Sequence, residues 1–353
     1  MRIEVVSNMF PDEKHPSYGV FVKNFCNILD NIGIDHKNHV MRKKDSVFSK
    51  IFGYIHFYIG TFFALLFERY DLIYVHYASH SSIPVLFARV FRKKRVYTNL
   101  HGSDVVPENS TQERMQKYTQ RILAASEKII VPSEYFKDLV TKKYIIEKER
   151  LFVIPSGGIN KDVFYKEKEK GNGKVLKLGY VGRISFKKGW DTLLKACAEM
   201  RNPFRLIVVG NGPDYKQMRS LATQLRLDDH IEWMDLQPQE QLRKVYNDID
   251  LLVFPTEREG ESLGLVAIEA MACGTPVVAS DYAAPHYYVI DGFNGYKFEK
   301  GDYLQLACIL DSYVSNQESK ENLIIGAIKT AAGYNTDRIE IEYKQLFDEQ
   351  LHI

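Results

Sequence analysis

Glu261 and Glu269 stand eight positions apart in the stretch EGESLGLVAIEAMACGTPVVASD. The first lies in a polar loop, the second within an apolar helical pattern. A charged Glu is rarely buried without a partner. Eight residues is a little over two helical turns, so one cleft can receive both carboxylates. A carboxylate accepts hydrogen bonds from both hydroxyls of a vicinal diol. The pair therefore suits a ligand rich in hydroxyls, with one Glu for a ribose and the other for a second sugar. The adjoining SLGLV segment supplies backbone N–H groups near a diphosphate.

Other segments carry compatible chemistry. In GYVGRISFKKGW a strand ends at Val181-Gly182, and Arg183, Lys187 and Lys188 precede a helical pattern. Cations at the carboxyl edge of a parallel strand, beside a helix N-terminus, form an anion site. VVGNGPDY places Gly210 in a tight turn after another strand, but Tyr215 occupies the position of the third glycine of the dinucleotide fingerprint. A nicotinamide site is therefore disfavoured, and a turn next to a ligand remains. LHGSDV sets His101 and Asp104 after a strand, with helix capping by Ser103 or Asp104 as the competing role. HPSYGVFVKNF places Gly19 where a first loop approaches a phosphate. Asp248-Ile249-Asp250 reads as a helix end and strand start rather than as a metal site.

These segments must be held by a regular frame. IEVVS, DLIYVH, RVYTNL, KIIVP and LFVIP in the first half read as strands. So do LKLGYVG, FRLIVVG, HIEWM, DLLVFP and TPVVAS in the second. Helical periodicity fills the gaps, as in Thr192–Met200 and Tyr215–Leu225. The alternation predicts an α/β protein with parallel sheets covered on both faces. The polar segment YKEKEKGNGK, residues 165–174, reads as a linker. The expected division is 1–165 and 174–334, with a last helix within 335–353.

The 353 residues suit two domains, and 45% hydrophobic with 26% charged residues is a globular composition. Residues 1–165 carry 24 Lys and Arg against 17 Asp and Glu, a net of +7; the remainder nets −5. The first half can face an anionic partner. Cys26, Cys197, Cys273 and Cys308 lack metal or redox spacing and suit a reducing compartment. MRIEVVSNMF lacks the apolar core of a signal peptide, so a cytoplasmic location is expected. From Ile51 to Phe67 no Asp, Glu, Lys or Arg occurs, while Arg42, Lys43, Lys44 and Lys50 lie just upstream. That run is either a helix packed on the sheet or an interfacial helix that brings the protein peripherally to the inner face of an anionic membrane.

Taken together, GRISFKKG, VVGNGP, VFPTEREGESLGLVAIEAMACGTPVVAS and HGSD resemble the retaining glycosyltransferases of family four, over nearly the whole chain and in the right order. The resemblance implies the GT-B fold, two Rossmann-like domains facing a cleft. The second domain binds a nucleotide-sugar donor, UDP-sugar favoured, and the first mostly the acceptor; the last helix crosses back to the first domain. It implies that Glu261 contacts donor sugar hydroxyls, Glu269 holds the ribose, and Arg183 and Lys188 neutralise the diphosphate. It also places Gly19 and Gly210 by the donor, His101 beside the transferred sugar, and the backbones of Leu265 and Val266 on the phosphates or ribose. One glycine in the first loop and Leu263 in place of a frequent aromatic are departures that leave the donor sugar open.

The implied reaction expels a nucleoside diphosphate from an anomeric carbon, and the cations stabilise the charge growing on it. They would make a metal cofactor dispensable. The expected acceptor is a glycan or polyprenyl-linked molecule of cell-surface polysaccharide synthesis, with no nucleic-acid partner. A nucleotide-sugar epimerase of the same fold and a non-catalytic sugar-nucleotide-binding protein are the alternatives.

Overall fold

The computed structural model describes residues 1–15, 18–167, 175–315 and 318–348. It divides into two compact units, Met1–Gly158 with the chain from Asp337 onward, and Ile159–Thr336. The division falls after Gly158, not at residue 165. Ile159 explains the shift: its N–H donates to Tyr334 O at 2.7 Å and its carbonyl accepts from Thr336 N at 3.1 Å, so residues 159–165 belong with the second unit. Residues 168–174, most of the expected linker, lie outside the described residues.

In the first unit the order is β1 (Arg2–Phe10), α1 (Val20–Asn31), β2 (Asp35–Arg42), α2 (Val47–Phe67), β3 (Leu72–His76), α3 (Ser82–Phe91), β4 (Arg95–Asn99), α4 (Ser110–Ala125), β5 (Lys128–Val131), α5 (Glu134–Tyr144) and β6 (Leu151–Val153). The second unit runs β7 (Leu176–Val181), α6 (Trp190–Glu199), β8 (Phe204–Val209), α7 (Tyr215–Gln224), β9 (Ile231–Met234), α8 (Gln239–Asp248), β10 (Leu251–Phe254), α9 (Leu265–Ala272), β11 (Val277–Ser280), α10 (Pro285–Tyr288), β12 (Gly295–Phe298), α11 (Tyr303–Ser315) and α12 (Glu318–Ala332). The last helix, α13 (Thr336–Asp348), returns to the first unit.

Each unit is built on a six-stranded sheet, β2-β1-β3-β4-β5-β6 and β12-β11-β10-β7-β8-β9, and every strand pair is parallel. Ten strands coincide with the apolar runs of the sequence. The two it does not announce, β2 and β12, are sheet edges. β2 reads DHKNHVMR and is mostly solvent-facing, so it lacks the continuous Val/Ile run of a buried parallel strand. β12 has four residues, GYKF, too few to show a period.

Alternation along the central strands sorts side chains to the two faces. Ile73 and Val75 of β3 join Phe57, Leu65, Val85, Leu123 and Phe136 on the side of α2 to α5. Leu72 and Tyr74 join Phe25 and Leu29 of α1 and Tyr343 and Phe347 of α13 on the other. Tyr74 donates to Tyr343 Oη at 3.3 Å, and Asn99 Nδ2 donates to both hydroxyls at 3.1 and 3.2 Å. The last helix thus completes a core face. Phe347 stacks on Tyr97 with ring centroids 6.2 Å apart. Phe347→Ala is expected to cost about 3–5 kcal/mol in urea unfolding. A loss below about 1 kcal/mol would show that α13 is not part of this core.

Candidate functional site

Because all strands of the second sheet run parallel, the loops after β7, β8 and β10 leave from one edge. Their backbones interlock. Ile184 N donates to Asn211 O at 3.1 Å and Glu257 N to Lys187 O at 2.8 Å. A Cβ on Gly210 would stand 2.0 Å from Gly182 O, and one on Gly189 would stand 1.7 Å from Pro255 O. Both positions require glycine so that neighbouring loops can touch. For Gly210 the visible demand is therefore this loop packing.

The interlocked loops carry the charged groups. Lys188 Nζ lies 2.5 Å from Glu261 Oε2, and Thr256 Oγ1 donates to the same oxygen at 3.2 Å. Their side chains are 15% and 11% exposed. Burial pushes the Glu261 pKa up, but the charge and hydrogen bond of Lys188, then Arg258 and Thr256, pull harder, so it stays below the usual carboxylate range. Lys188, expected as a phosphate ligand, is thus already paired with the carboxylate expected to hold a sugar. The second oxygen, Oε1, has no hydrogen-bond partner among the described residues. Arg183 is exposed and forms no ion pair among them.

Glu269 is treated differently. It is half-buried on α9, and its Oε2 accepts the Tyr246 hydroxyl at 2.9 Å. Among the described residues no cation compensates. Burial raises its pKa to about 7, with Tyr246 opposing. Its Oε1 also lacks a partner among the described residues. Tyr246 escaped the sequence reading, although a buried Tyr on a helix needs an acceptor for its hydroxyl. At the start of α9, Gly264 is the N-cap with φ 79°, and the first backbone bond of the turn runs from Ala267 N to Gly264 O. The N–H groups of Leu265 and Val266 precede it and are left without helical partners. The DID segment is structural: Asp250 Oδ2 accepts Lys177 N at 2.8 Å, and Lys177 Nζ donates to Asp248 Oδ1 at 2.6 Å.

In the first unit the carboxyl edge gathers the loops that follow β1, β3 and β4. Gly19 caps α1 with φ 76°, and a Cβ there would meet Met9 C at 2.6 Å. His101 Nε2 lies 3.0 Å from His76 Nδ1, and the Phe21 ring packs against the His101 ring, tilted by 31° with centroids 3.9 Å apart. Burial lowers the His101 pKa to about 3 and carries His76 well below its usual value, so both imidazoles are neutral at pH 7. His76 Nε2 is buried without a partner among the described residues. His76 was not singled out because it closes an ordinary strand run, DLIYVH. Asp104 is a structural clasp, accepting backbone N–H groups of Gly102 at 2.8 Å and of His101 and Ala78 at 3.1 Å.

Among the described residues Glu4, His39 and Glu68 come within metal-binding reach of one another. They lie on or beside the strands rather than on the carboxyl-edge loops, and Lys37 already binds Glu68 at 2.6 Å.

The chain matches the family model of glycosyl transferases group 1 over residues 162–330 and that of glycosyltransferase family 4 over residues 5–158. It belongs to the family 4 glycosyltransferases. An uncharacterised glycosyltransferase of Methanocaldococcus jannaschii is 28% identical over 80% of this chain and 76% of its own. The fold is that of sucrose-phosphate synthase from Thermosynechococcus elongatus, with a TM-score of 0.84 at 20% identity over 99% of both chains. It is also that of Anabaena HepE in complex with UDP-glucose, with a TM-score of 0.75 at 18% identity over 99% of this chain and 100% of that one. These are GT-B folds, and the glycosyltransferase is an α/β protein of that class.

In this glycosyltransferase the protonation of Glu269 is linked to stability. Folded, the carboxyl titrates near 7; unfolded, it returns to its usual 4.5. The folded state therefore binds the extra proton, and stability is lost as pH rises from 4.5 through about 7. Glu269→Gln cannot ionise. Relative to the parent it should gain on the order of 1–3 kcal/mol between pH 5 and pH 8, measured by denaturant melts at both. An equal difference at the two pH values would show that the folded carboxyl is not raised.

Proposed function

We propose that the protein transfers a hexosyl group, with retention of configuration, from a UDP-sugar to a glycan or polyprenyl-linked acceptor in cell-surface polysaccharide biosynthesis. Family membership supports the transfer itself over an epimerase or a non-catalytic binder. The observation that carries the donor assignment is the Lys188–Glu261 pair, which leaves one carboxylate oxygen open beside a half-buried cation. The UDP-glucose complex of a protein with the same fold supports the class of donor.

In this reading Glu261 Oε1 accepts from hydroxyls of the donor sugar while Oε2 keeps Lys188 and Thr256. Glu269 Oε1 takes the ribose hydroxyls. Arg183 forks onto phosphate oxygens, Lys188 adds its charge, and the N–H groups of Leu265 and Val266 complete the anion site. Gly19 and Gly210 keep the loops near the donor compact. His101, neutral and packed against Phe21, is assigned to the transferred sugar. The bond from the anomeric carbon to the phosphate oxygen breaks. The bond from that carbon to the acceptor oxygen forms on the same face, and the acceptor proton passes to the departing phosphate. Arg183 and Lys188 stabilise the charge where it grows, so the reading requires no divalent metal. The basic first unit is assigned to the acceptor.

The testing experiment is a thermal-shift screen of the purified protein against nucleoside diphosphates and nucleotide sugars, followed by turnover with the donor that binds. Stabilisation by UDP-sugars supports the reading; no shift with any nucleotide sugar overturns it. Arg183→Ala should lower kcat roughly 10²–10³-fold with a smaller change in KM. It is a cleaner probe than Lys188→Ala, which also strands Glu261. Chelator should leave turnover unchanged; strict dependence on magnesium or manganese would contradict the phosphate clamp.

Glu269→Ala should weaken UDP binding in calorimetry by roughly 1–3 kcal/mol, the cost of unpaired buried groups. Because the ribose needs the ionised carboxylate, UDP-glucose affinity should fall as pH drops through about 7. Affinity flat from pH 6 to 8, or unchanged in Glu269→Ala, would remove Glu269 from the ribose.

A further inference from the structure

We propose that the outer face of α2 and α3 is a docking surface for an anionic bilayer. This goes beyond the donor chemistry and does not depend on it. α2 turns its apolar residues outward: Phe48, Phe52, Ile55, Ile59, Phe63 and Phe67 are each 47–78% exposed. Spacings of three and four align them in one stripe along 21 residues. A soluble helix shows solvent its polar side, and here that side carries no Asp, Glu, Lys or Arg from Ile51 to Phe67. The stripe continues onto α3. Phe62 meets Phe91 with ring centroids 6.1 Å apart, and Phe87, Val90 and Phe91 are 60–75% exposed. A contiguous apolar patch of this extent marks an interaction surface.

Helix α2 is long and apolar enough to cross a membrane, yet its inner side is committed to the sheet. Phe57, Thr61 and Leu65 are buried. The Tyr54 hydroxyl accepts from Asn8 Nδ2 at 3.2 Å, and the Tyr58 hydroxyl lies 3.1 Å from His80 Nδ1. Arg92 Nη1 donates to the carbonyls of Leu65, Leu66 and Glu68 at 3.2, 3.1 and 2.6 Å, tying down the end of the helix. A helix held flat in this way can sink its outer stripe into the headgroup boundary but cannot span.

Charge identifies the occupant. Arg42, Lys43 and Lys44 flank one end of the stripe, Lys50 lies in the first turn of α2, and Lys93 follows α3 at the other end; none of these five has an ion-pair partner among the described residues. An apolar stripe between unpaired cations complements a leaflet of anionic lipid, where each nearby cation raises affinity roughly fivefold. A second copy of the chain would bring the same positive charges against each other. Docked so, the protein would sit peripherally on the inner face of the cell membrane.

The test is sedimentation of the purified full chain with vesicles of phosphatidylcholine alone or with added phosphatidylglycerol. The expected result is binding only to the anionic vesicles, weakened by salt. Phe52→Glu with Phe63→Glu should abolish it, and Lys43→Glu with Lys44→Glu, which leaves the apolar stripe intact, should reduce it at least about tenfold. Wild-type protein left in the supernatant with anionic vesicles at low salt overturns the proposal. So does undiminished binding by the phenylalanine variant. A dimer in light scattering that the phenylalanine variant dissociates, without vesicle binding, would reassign the face to a second copy. The thermal shift with UDP-glucose, read on the same preparations, bears on the donor reading alone, so the two can fail separately.

Discussion

Parallel pairing is the constraint on which the rest of this molecule depends. A parallel strand must be followed by a crossover, so every strand of a sheet ends on the same edge. In the second unit that edge receives the loops bearing Arg183, Lys188, Gly210, Glu257 and Glu261. Helix faces cover both sides of the sheets and leave the carboxyl edge as the place where polar groups from distant parts of the chain can meet. Backbone contact between the loops, through Gly182 and Gly210 and through Gly189 and Pro255, holds these groups close together.

Within that edge the two glutamates are set to opposite protonation tendencies by their neighbours alone. Glu261 has a lysine at 2.5 Å and stays ionised despite burial. Glu269 has a tyrosine hydroxyl, which donates but carries no charge, and burial prevails. A buried pair such as Lys188 and Glu261 costs desolvation that its attraction offsets only in good geometry. Its presence therefore accords better with the donor contact proposed above than with a contribution to stability. Glu269 is likewise held where its ionised form disfavours folding at neutral pH, a cost that the proposed ribose contact would account for.

The first unit meets a different conflict. Its sheet needs a cover on the side of α2 to α5, and α2 supplies it with Phe57 and Leu65. The same helix presents phenylalanines and isoleucines outward. Core formation accounts for one side of α2 and leaves the other unexplained within the chain itself, which is the physical reason to seek its partner outside it.

Much of the fold was legible because buried parallel strands are written as continuous Val, Ile and Leu runs: DLLVFP, FRLIVVG and DLIYVH declare themselves. β2 was not legible, since this edge strand keeps polar residues that read as loop, and β12 was not because four residues show no period. The types and order of the proposed site residues, Arg183, Lys188, Glu261 and Glu269, were also in the sequence, because the proposed diphosphate and sugar hydroxyls call for cations and carboxylates whatever the frame. What only the tertiary structure decided was pairing and exposure. Lys188 and Glu261 lie 73 positions apart, and Glu269 meets Tyr246 across 23. His76 gains its meaning only when β3 and β4 end side by side. The run from Ile51 to Phe67 was equally readable as core or as interface. The turn of α2 about its own axis distinguishes an inner from an outer side, and a run with so few polar residues encodes that rotation only weakly.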